Sequence, residues 1–412
     1  MLSIEKFKRK DNRIKQAYQN IAFNRAIELF QNNQYDEAIA KFKQVDKYPF
    51  DKKTNAASLY WTGESYYKQG NYDKAVEKFV EFRLEPGAAL TNVFREADYS
   101  VAYAYFMKAK PFKNGELDKT EENKKARKVN LEKAITAFRN FVQLKDRVDK
   151  VKLADGYLRL ADCYYLTPND KLAVQNYSKA IAVGKGNMAY AYFQKAKSQG
   201  LLGDVAGKSK TLKALTDKYP NSTYQVLSLR ELAQTYQQQG DNNKAIEVYK
   251  GFIKEYPNNK YVPEMMVNLG GIYVREKKYN EAEVYLLKVL DNYPSATIEN
   301  ESAIAQMKSV FIGRNNLPGY YDWLQGRGIN VEAAEVDSAL WEPVYVAWNK
   351  GDCNLIEKES QTYLSKVPNG AHEVSAHFYM ATCYYTTDQT KSLEHYSFVI
   401  SKPNNEHYEE AL

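Results

Sequence analysis

One ten-residue motif recurs along this chain and limits what the chain can fold into. It appears as NQYDEAIAKF from Asn33, GNYDKAVEKF from Gly70, GDNNKAIEVY from Gly240 and KKYNEAEVYL from Lys277, with an alanine at its sixth position. Extended along the chain, that alanine position falls on ten residues: Ala38, Ala75, Ala134, Ala173, Lys208, Ala245, Ala282, Gly319, Ile356 and Leu393. From Lys208 onward each step is 37 residues. This regularity predicts ten structural repeats, whereas the length of 412 residues alone would suggest two or three globular domains.

Each repeat has the hydrophobic pattern of two helices. In residues 226–257 a first apolar stripe follows the i, i+3, i+4, i+7 spacing of an amphipathic helix: Leu229, Leu232, Ala233 and Tyr236. Gly240 and Asp241 interrupt this stripe, and a second one ends at Pro257: Ala245, Tyr249 and Phe252. A second, mostly small residue lies twelve positions before nine of the alanine positions: Ala26, Gly63, Ala161, Ala196, Ala233, Gly270, Met307, Val344 and Ala381. In the third repeat the corresponding residue is Ala102, which the insertion separates from Ala134. Small residues at both positions predict paired helices that approach each other closely.

These landmarks resemble the tetratricopeptide repeat (TPR), a helix–turn–helix unit of 34 residues. The resemblance covers about residues 16–401, and the extra residues of the 37-residue period fall near the Tyr-Pro pairs at 219–220, 256–257 and 293–294. This variant is similar to TPR proteins of bacterial cell envelopes, such as outer-membrane-assembly lipoproteins and the Tol–Pal accessory protein. The resemblance implies an all-α fold, a right-handed TPR superhelix (an α-solenoid of about ten helix–turn–helix repeats). It also implies a periplasmic or cell-envelope location, with the cytoplasm as the alternative.

The repeat frame sets the expected boundaries. Residues 1–15 form a polar lead-in, and residues 16–401 form a single TPR array, because a two-helix unit depends on its neighbours to bury its apolar faces. A surface insertion at 111–130 separates the two helices of the third repeat, and the second of these resumes at Leu131. An alternative role for this insertion is to dock an anionic partner through its lysines and Arg127. Residues 297–332 form a degenerate repeat, and residues 402–412 look like the start of a truncated eleventh repeat, as in a fragment of a longer array.

The residues that carry catalysis or bind metals are sparse. All four histidines lie between His372 and His407, and His372 and His377 are five residues apart, not the four of a zinc-protease helix. We interpret them as solvated side chains. Cys163 and Cys383 occupy equivalent helix positions and are interpreted as small buried residues, and Cys353 as a turn residue that is not a nucleophile. The segment Gly203–Thr211 lacks the first glycine and the preceding strand of a phosphate loop. We therefore expect that this protein is not an enzyme and that it binds no cofactor, metal or small-molecule substrate.

The charge is mild, since 58 Lys and Arg are interspersed with 51 Asp and Glu. A helical-repeat protein that binds nucleic acid would need a continuous basic stripe, so nucleic-acid binding is only an alternative, as is a structural spacer with no groove ligand. No apolar run approaches the roughly 20 residues of a membrane-spanning helix. Association with a membrane would then require a partner or a lipid anchor missing from this chain.

The chain contains 35 tyrosines, and aromatic residues recur at two sets of repeat positions. One occupies the TPR tyrosine slot that packs between helices and is expected in the core: Tyr66, Tyr105, Tyr164, Tyr236, Tyr273 and Tyr384. The other lies on the face of the first helices that lines the concave surface of a TPR superhelix. There we predict a partner-binding groove at Phe23, Tyr60, Tyr67, Tyr99, Tyr103, Phe106 and Tyr165, and a second patch at Trp341, Tyr345, Trp348, Phe378 and Tyr385. Aromatic side chains suit binding because they supply a large contact area with little loss of side-chain entropy. The expected function is a non-catalytic protein–protein interaction scaffold, within a bacterial envelope assembly, that binds a peptide or protein segment in its concave groove.

Overall fold

The structure is a computed structural model, and it describes residues 12–47, 49–109, 112–113, 116–117 and 120–412. Over these residues the chain forms ten consecutive helix pairs and one short closing helix. The first helices of the pairs are α1 (Asn12–Gln31), α3 (Lys52–Lys68), α5 (Ala97–Lys108), α7 (Lys150–Leu166), α9 (Met188–Leu201), α11 (Gln225–Gln238), α13 (Val262–Arg275), α15 (Thr297–Gly313), α17 (Ala333–Lys350) and α19 (Glu373–Tyr384).

The second helices of the pairs are α2 (Tyr35–Val45), α4 (Tyr72–Leu84), α6 (Glu121–Val142), α8 (Asp170–Val183), α10 (Val205–Lys218), α12 (Asn242–Glu255), α14 (Tyr279–Asn292), α16 (Leu317–Gly326), α18 (Cys353–Lys366) and α20 (Gln389–Ser401), and α21 (Tyr408–Ala411) follows. The predicted all-α repeat fold is confirmed. The helices fall into two compact units, an N-terminal unit that ends at Val248 and a C-terminal unit, Tyr249–Leu412. A single array over residues 16–401 stays a prediction.

Close helix packing explains the repeat frame. The small residue near the middle of each first helix is buried in every pair, from Ala26 to Ala381. At Gly63 an added Cβ would lie 2.7 Å from the ring of Phe79, one turn after Ala75 on the second helix. Any larger side chain at position 63 would overpack this crossing, at a cost of about 1–3 kcal/mol. Gly240 makes the turn to the second helix with a φ of +75°, a backbone conformation that glycine adopts without strain.

Two positions of the predicted frame are displaced by one residue. In the last pair Leu393 is 68% exposed, and Ser392, which is 3% exposed, occupies the buried position on the fourth residue of α20. The Ser392 hydroxyl donates to the carbonyl of Ala381, 2.9 Å away, which allows a polar side chain at this crossing. In the eighth pair the buried fourth residue of α16 is Tyr320, not Gly319. The loops absorb these one-residue shifts because only the helix faces are constrained by packing.

The second half of the predicted insertion at 111–130 is helical. The expectation that the second helix resumes at Leu131 is wrong, because α6 begins at Glu121. The Thr120 hydroxyl caps α6 by accepting from the backbone N–H of Asn123, and two glutamates in the first turn favour the positive end of the helix dipole. Before α6, β1 (Phe112–Lys113) and β2 (Glu116–Leu117) form an antiparallel pair. The lysine patch therefore lies on a helix, where Lys124 pairs with Glu121 at 2.5 Å.

The other predicted boundaries lie at the two ends of the chain and around the eighth helix pair. Residues 1–11 of the predicted lead-in lie outside the described residues, and residues 12–15 belong to α1. In the region predicted to be a degenerate repeat, α16 is 10 residues long and Pro318 lies in its first turn, where a proline costs no helical hydrogen bond. In the segment 402–412, α21 buries Ala411.

Candidate partner-binding site

The N-terminal aromatic patch is built around a carboxylate. Tyr99 and Tyr103, one turn apart on α5, both donate their hydroxyl hydrogens to Oδ2 of Asp155 on α7, and the Tyr99 distance is 2.8 Å. Their ring centroids are 4.8 Å apart. Arg159 pairs with Asp155 at 3.5 Å, and its Nε donates to the Tyr103 hydroxyl at 3.1 Å. Burial and the Asp155 charge raise the pKa of Tyr99 and Tyr103, so both phenols stay protonated donors.

A second carboxylate extends this network along α7. Asp162 is buried and accepts from Arg159 Nη1 at 2.6 Å, from the Tyr177 hydroxyl at 2.7 Å and from the Tyr190 hydroxyl at 2.9 Å. Burial raises the pKa of the Asp162 carboxyl, and Arg159 with the two hydroxyl donors acts against that effect. The network connects the first helices α7 and α9 and the second helix α8 through one buried carboxylate.

The third carboxylate belongs to Glu64 on α3. The Ser100 hydroxyl donates to Glu64 Oε1 at 2.7 Å, and because that hydroxyl has a single hydrogen, the Tyr60 hydroxyl donates to Ser100 Oγ at 3.0 Å. Burial raises the pKa of Glu64, and the Ser100 and Tyr60 hydroxyls, with Lys68 and Lys152 further away, favour its charged form. No Lys or Arg in the described part of the chain forms an ion pair with Glu64.

These groups enclose a small pocket between the first helices α3 and α5. It has a volume of about 200 Å³ and is lined by Glu64, Tyr67, Tyr99, Ser100 and Tyr103. Burial raises the pKa of Tyr67 to about 12. A second cavity, of about 280 Å³, lies on α7 beside Asp155 and shares Tyr99 and Tyr103 with the first. Three of the predicted groove tyrosines, Tyr67, Tyr99 and Tyr103, thus line concave features of the surface.

The structure separates the predicted groove residues by burial. Five are half-buried at the surface of the first helices: Phe23, Tyr67, Tyr99, Tyr103 and Tyr165. Phe106 is 2% exposed, and Tyr60 is 6% exposed and packs on Phe79 and Phe82 at 5.6 and 5.5 Å. The expectation that Tyr60 and Phe106 face solvent is wrong, because neighbouring helices cover them. Contact of the other five with a partner stays a prediction.

The tyrosines expected in the core also differ in burial. Tyr164, Tyr236, Tyr273 and Tyr384 are buried as predicted, whereas Tyr66 and Tyr105 are half-buried. In the second and third pairs a lysine from the second helix covers the exposed ring: Lys74 lies 5.4 Å from the Tyr66 centroid, and Lys133 lies 5.4 Å from that of Tyr105. Each lysine directly precedes the alanine of the repeat motif, so a cation–π contact completes the packing there.

The C-terminal aromatic patch has a different construction, based on stacked rings. Trp348 lies parallel to Tyr379 with centroids 4.0 Å apart, Trp341 stacks on His372 at 4.6 Å, and Phe378 stacks on His407 at 4.2 Å. Phe378 is 6% exposed, so the expectation that it faces solvent is wrong. Trp341 and Trp348 are half-buried, and only Tyr345 and Tyr385 of the predicted patch are exposed, at 46% and 67%.

The histidines and two cysteines of the C-terminal unit are structural. His377 stacks on Phe398 at 3.9 Å, and its Nδ1 lies 2.8 Å from Nδ1 of His395. Burial and the neighbouring His395 lower the pKa of His377 to about 4. The interpretation of His377 as a solvated side chain is therefore wrong, and the other three histidines are half-buried. Cys353 and Cys383, interpreted as a turn residue and a buried thiol, form a disulfide between α18 and α19, with a Cα–Cα distance of 5.4 Å. Cys163 lies outside this disulfide and is buried, as predicted.

Sequence reasoning missed the polar half of the N-terminal site. Asp155, Arg159 and Asp162 follow the i, i+4, i+7 spacing of one helix face on α7, and this signal could have identified them as one charged face of that helix. In the part of the chain that the structure describes, no group of three His, Cys, Asp or Glu residues could hold a metal ion. No described helix combines the length and apolar character needed to cross a bilayer.

Comparison with known proteins identifies the repeats. Models of the tetratricopeptide repeat match residues 23–89, residues 190–222 and 228–259, and residues 263–295. These matches fall on five of the ten helix pairs, and the matched segments are similar to tetratricopeptide repeats. The matches and the ten helix pairs together define a helical-repeat protein. Such repeats generally serve as non-enzymatic protein-interaction scaffolds. No curated protein matches this chain.

Two similar solved structures are also TPR proteins. The C-terminal part of a TPR repeat-containing protein from Cytophaga hutchinsonii is 16% identical, with a TM-score of 0.48, and the match covers 68% of this chain and 98% of that one. A tetratricopeptide repeat protein from Parabacteroides merdae is 15% identical, with a TM-score of 0.39, and the match covers 71% and 99%. At these TM-scores the likenesses support no inference about function.

Proposed function

We propose that this chain is a non-catalytic scaffold that binds a segment of another protein along the first helices of its N-terminal unit. The observation that carries the proposal is the pocket between α3 and α5, lined by three tyrosines, Ser100 and the carboxylate of Glu64. Half-buried tyrosines held in place by hydrogen bonds lose little entropy when a partner covers them, which favours binding. The concave groove of a single TPR array over residues 16–401 is part of this proposal.

The proposed setting is an assembly in a bacterial cell envelope, as in the periplasmic TPR proteins that the 37-residue period resembles. The Cys353–Cys383 disulfide supports an oxidising compartment such as the periplasm, because disulfides seldom persist where thioredoxin and glutathione keep thiols reduced. A bacterial envelope is accordingly favoured over the cytoplasm. Fractionation of source cells, with thiol labelling of the isolated protein, tests this: recovery in the cytoplasmic fraction with three reactive thiols would refute it.

The binding proposal is tested by photo-crosslinking in cells of the source organism. p-Benzoylphenylalanine is placed at Tyr67, beside the pocket, and in a matched variant at Val80, which is 44% exposed on the second helix α4 of the same pair. We expect protein adducts from position 67 and not from position 80. Equal labelling at both positions, or none at position 67, would contradict a binding surface on the first helices and would favour a structural spacer.

The second aromatic patch is proposed as an additional contact site through Tyr345 and Tyr385, its two exposed rings. The same crosslinker at position 385 tests it separately. Adducts at position 67 without adducts at position 385 would mean that only the N-terminal unit contacts the partner. The aromatic residues of the C-terminal patch would then only pack within their own unit.

A further inference from the structure

The pocket between α3 and α5 has the size of a side-chain site. Its volume of about 200 Å³ is below the roughly 300–1,000 Å³ of pockets that enclose drug-sized ligands. All five lining residues belong to the N-terminal unit and to two adjacent first helices. A pocket of this size at the proposed binding surface fits one side chain of a bound segment.

The charge of this pocket is negative, and no ion pair within the described residues neutralises it. Among the carboxylates near Tyr99 and Tyr103, Glu96 pairs with Lys152, and Asp155 pairs with Arg159. Glu64 lines the pocket and has the Ser100 hydroxyl as its hydrogen-bond donor, but no described Lys or Arg forms an ion pair with it. A desolvated carboxylate without a counter-charge is unfavourable, and a cation brought into the pocket would relieve this cost.

The walls of the pocket also favour a cation. Tyr67, Tyr99 and Tyr103 supply three aromatic rings, and a cation within about 6 Å of a ring centroid is attracted by the ring quadrupole. The hydroxyl groups of Tyr99 and Tyr103 are already bound to Asp155, which holds both rings in place. The site therefore combines a carboxylate with preorganised aromatic walls.

We infer that this pocket binds the cationic side chain of a lysine or arginine in the partner segment, with Glu64 as its counter-ion and the three tyrosine rings around its alkyl stem and charged group. This inference rests on the proposed function, since it names the side chain that the scaffold recognises. It specifies a basic partner segment, because the pocket offers no positive group to an acidic one.

The test uses a phage-displayed library of random hexapeptides, selected on the full chain and on Glu64→Gln. Glutamine keeps the acceptor for the Ser100 hydroxyl and removes only the charge, and the melting temperature of the variant verifies its fold. The wild-type protein should select peptides with Lys or Arg at one fixed position. Glu64→Gln should select peptides without that preference.

A double-mutant cycle then measures the contact. For a selected peptide, replacing the fixed basic residue by norleucine should weaken binding to the wild type by about 10–100-fold, as expected for a hydrogen bond to a charged group. The same replacement should have little effect on binding to Glu64→Gln, because the counter-ion is already absent. Tyr67→Leu, which removes one aromatic wall without changing charge, should weaken the basic peptide more than the norleucine peptide.

The matched control is Glu77→Gln, which makes the same charge change at an exposed side chain of the second helix α4. It should leave the dissociation constant unchanged within about twofold, since exposed charges are screened. Selection of peptides without a fixed basic residue, or an equal norleucine effect in wild type and Glu64→Gln, would overturn the cationic pocket and leave the scaffold standing. Failure of the wild type to select any peptide would overturn both.

Discussion

The two units of this chain use aromatic residues from the same repeat positions in opposite ways. In the N-terminal unit the tyrosines of α5, α8 and α9 donate hydrogen bonds to carboxylates on α7, and a pocket with an unpaired carboxylate lies beside them. In the C-terminal unit the rings of α17 stack on rings of α19 and on histidines. A disulfide joins α18 to α19.

The difference shows that a repeat position does not determine the role of its residue. Tyr99 and Trp341 occupy equivalent positions, three residues before Ala102 and Val344 in their first helices. Tyr99 meets a carboxylate from the next first helix, whereas Trp341 meets His372 and Tyr379. In the N-terminal unit Glu64 has no ion-pair partner among the described residues and lines the proposed binding pocket. In the C-terminal unit the stacked rings cover one another. Four predictions test this contrast.

The largest expected effect is the loss of the buried carboxylate at the centre of the N-terminal network. Asp162→Ala removes the acceptor of Arg159 Nη1 and of the Tyr177 and Tyr190 hydroxyls, so the free energy of unfolding of this unit should fall by about 3–5 kcal/mol. Hydrogen exchange in α7–α9 measures it. As the control, Asp337→Ala in the C-terminal unit removes an acceptor for Tyr363 and the Ala371 N–H and should cost about 1–3 kcal/mol. Equal losses in the free energy of unfolding for the two variants would show that the two units do not differ in this respect.

Disulfide removal should weaken only the C-terminal unit. Because Cys353 and Cys383 are 30 residues apart, replacing both by serine should lower its free energy of unfolding by about 3–4 kcal/mol, mostly by freeing the unfolded chain. Urea denaturation with hydrogen exchange on α17–α19 measures this loss. Dithiothreitol should have the same effect on the wild type and none on the double variant. Three reactive thiols in the denatured, unreduced protein would refute the disulfide.

The two units should respond to pH in opposite directions. Burial raises the pKa of Glu64, so ionisation opposes folding, and Glu64→Gln should be more stable than the wild type at pH 7, with the gain disappearing below about pH 4.5. The pKa of His377 is lowered to about 4, so its protonation opposes folding as the pH falls from 6.5 towards 4. His377→Phe keeps the ring and should gain about 1–3 kcal/mol on the wild type over that range. Thermal unfolding from pH 4 to 8 tests both slopes, and a parallel pH dependence for the two variants would contradict them.

The smallest effect separates a buried tyrosine from an exposed one. Tyr60→Phe removes the donor to Ser100 and should cost about 0.5–1.5 kcal/mol, whereas Tyr345→Phe should change the free energy of unfolding by less than about 0.5 kcal/mol. Denaturant titration of both variants measures the difference. Equal values would mean that the Tyr60 hydroxyl is as well solvated as that of Tyr345.

The sequence by itself determined the fold class. The repeat spacing, the two apolar stripes and the small residues such as Gly63 and Ala75 encode helix pairs because each is a local or near-neighbour requirement of helix packing. The same local signals located the turns and the aromatic first helices. They failed by one residue at Leu393, where a loop length changed without altering the helix faces.

Only the tertiary structure decided which aromatic residues line a site. Tyr60 and Tyr67 lie two turns apart on α3 with the same face predicted, yet Tyr60 is covered by Phe79 and Phe82, and Tyr67 lines a pocket. Pairing of Cys353 with Cys383 likewise depends on how α18 and α19 meet. Burial, counter-charges and ring contacts come from neighbouring helices, and the helical period of one segment records only which face is apolar, not which side chain of the next helix will cover it.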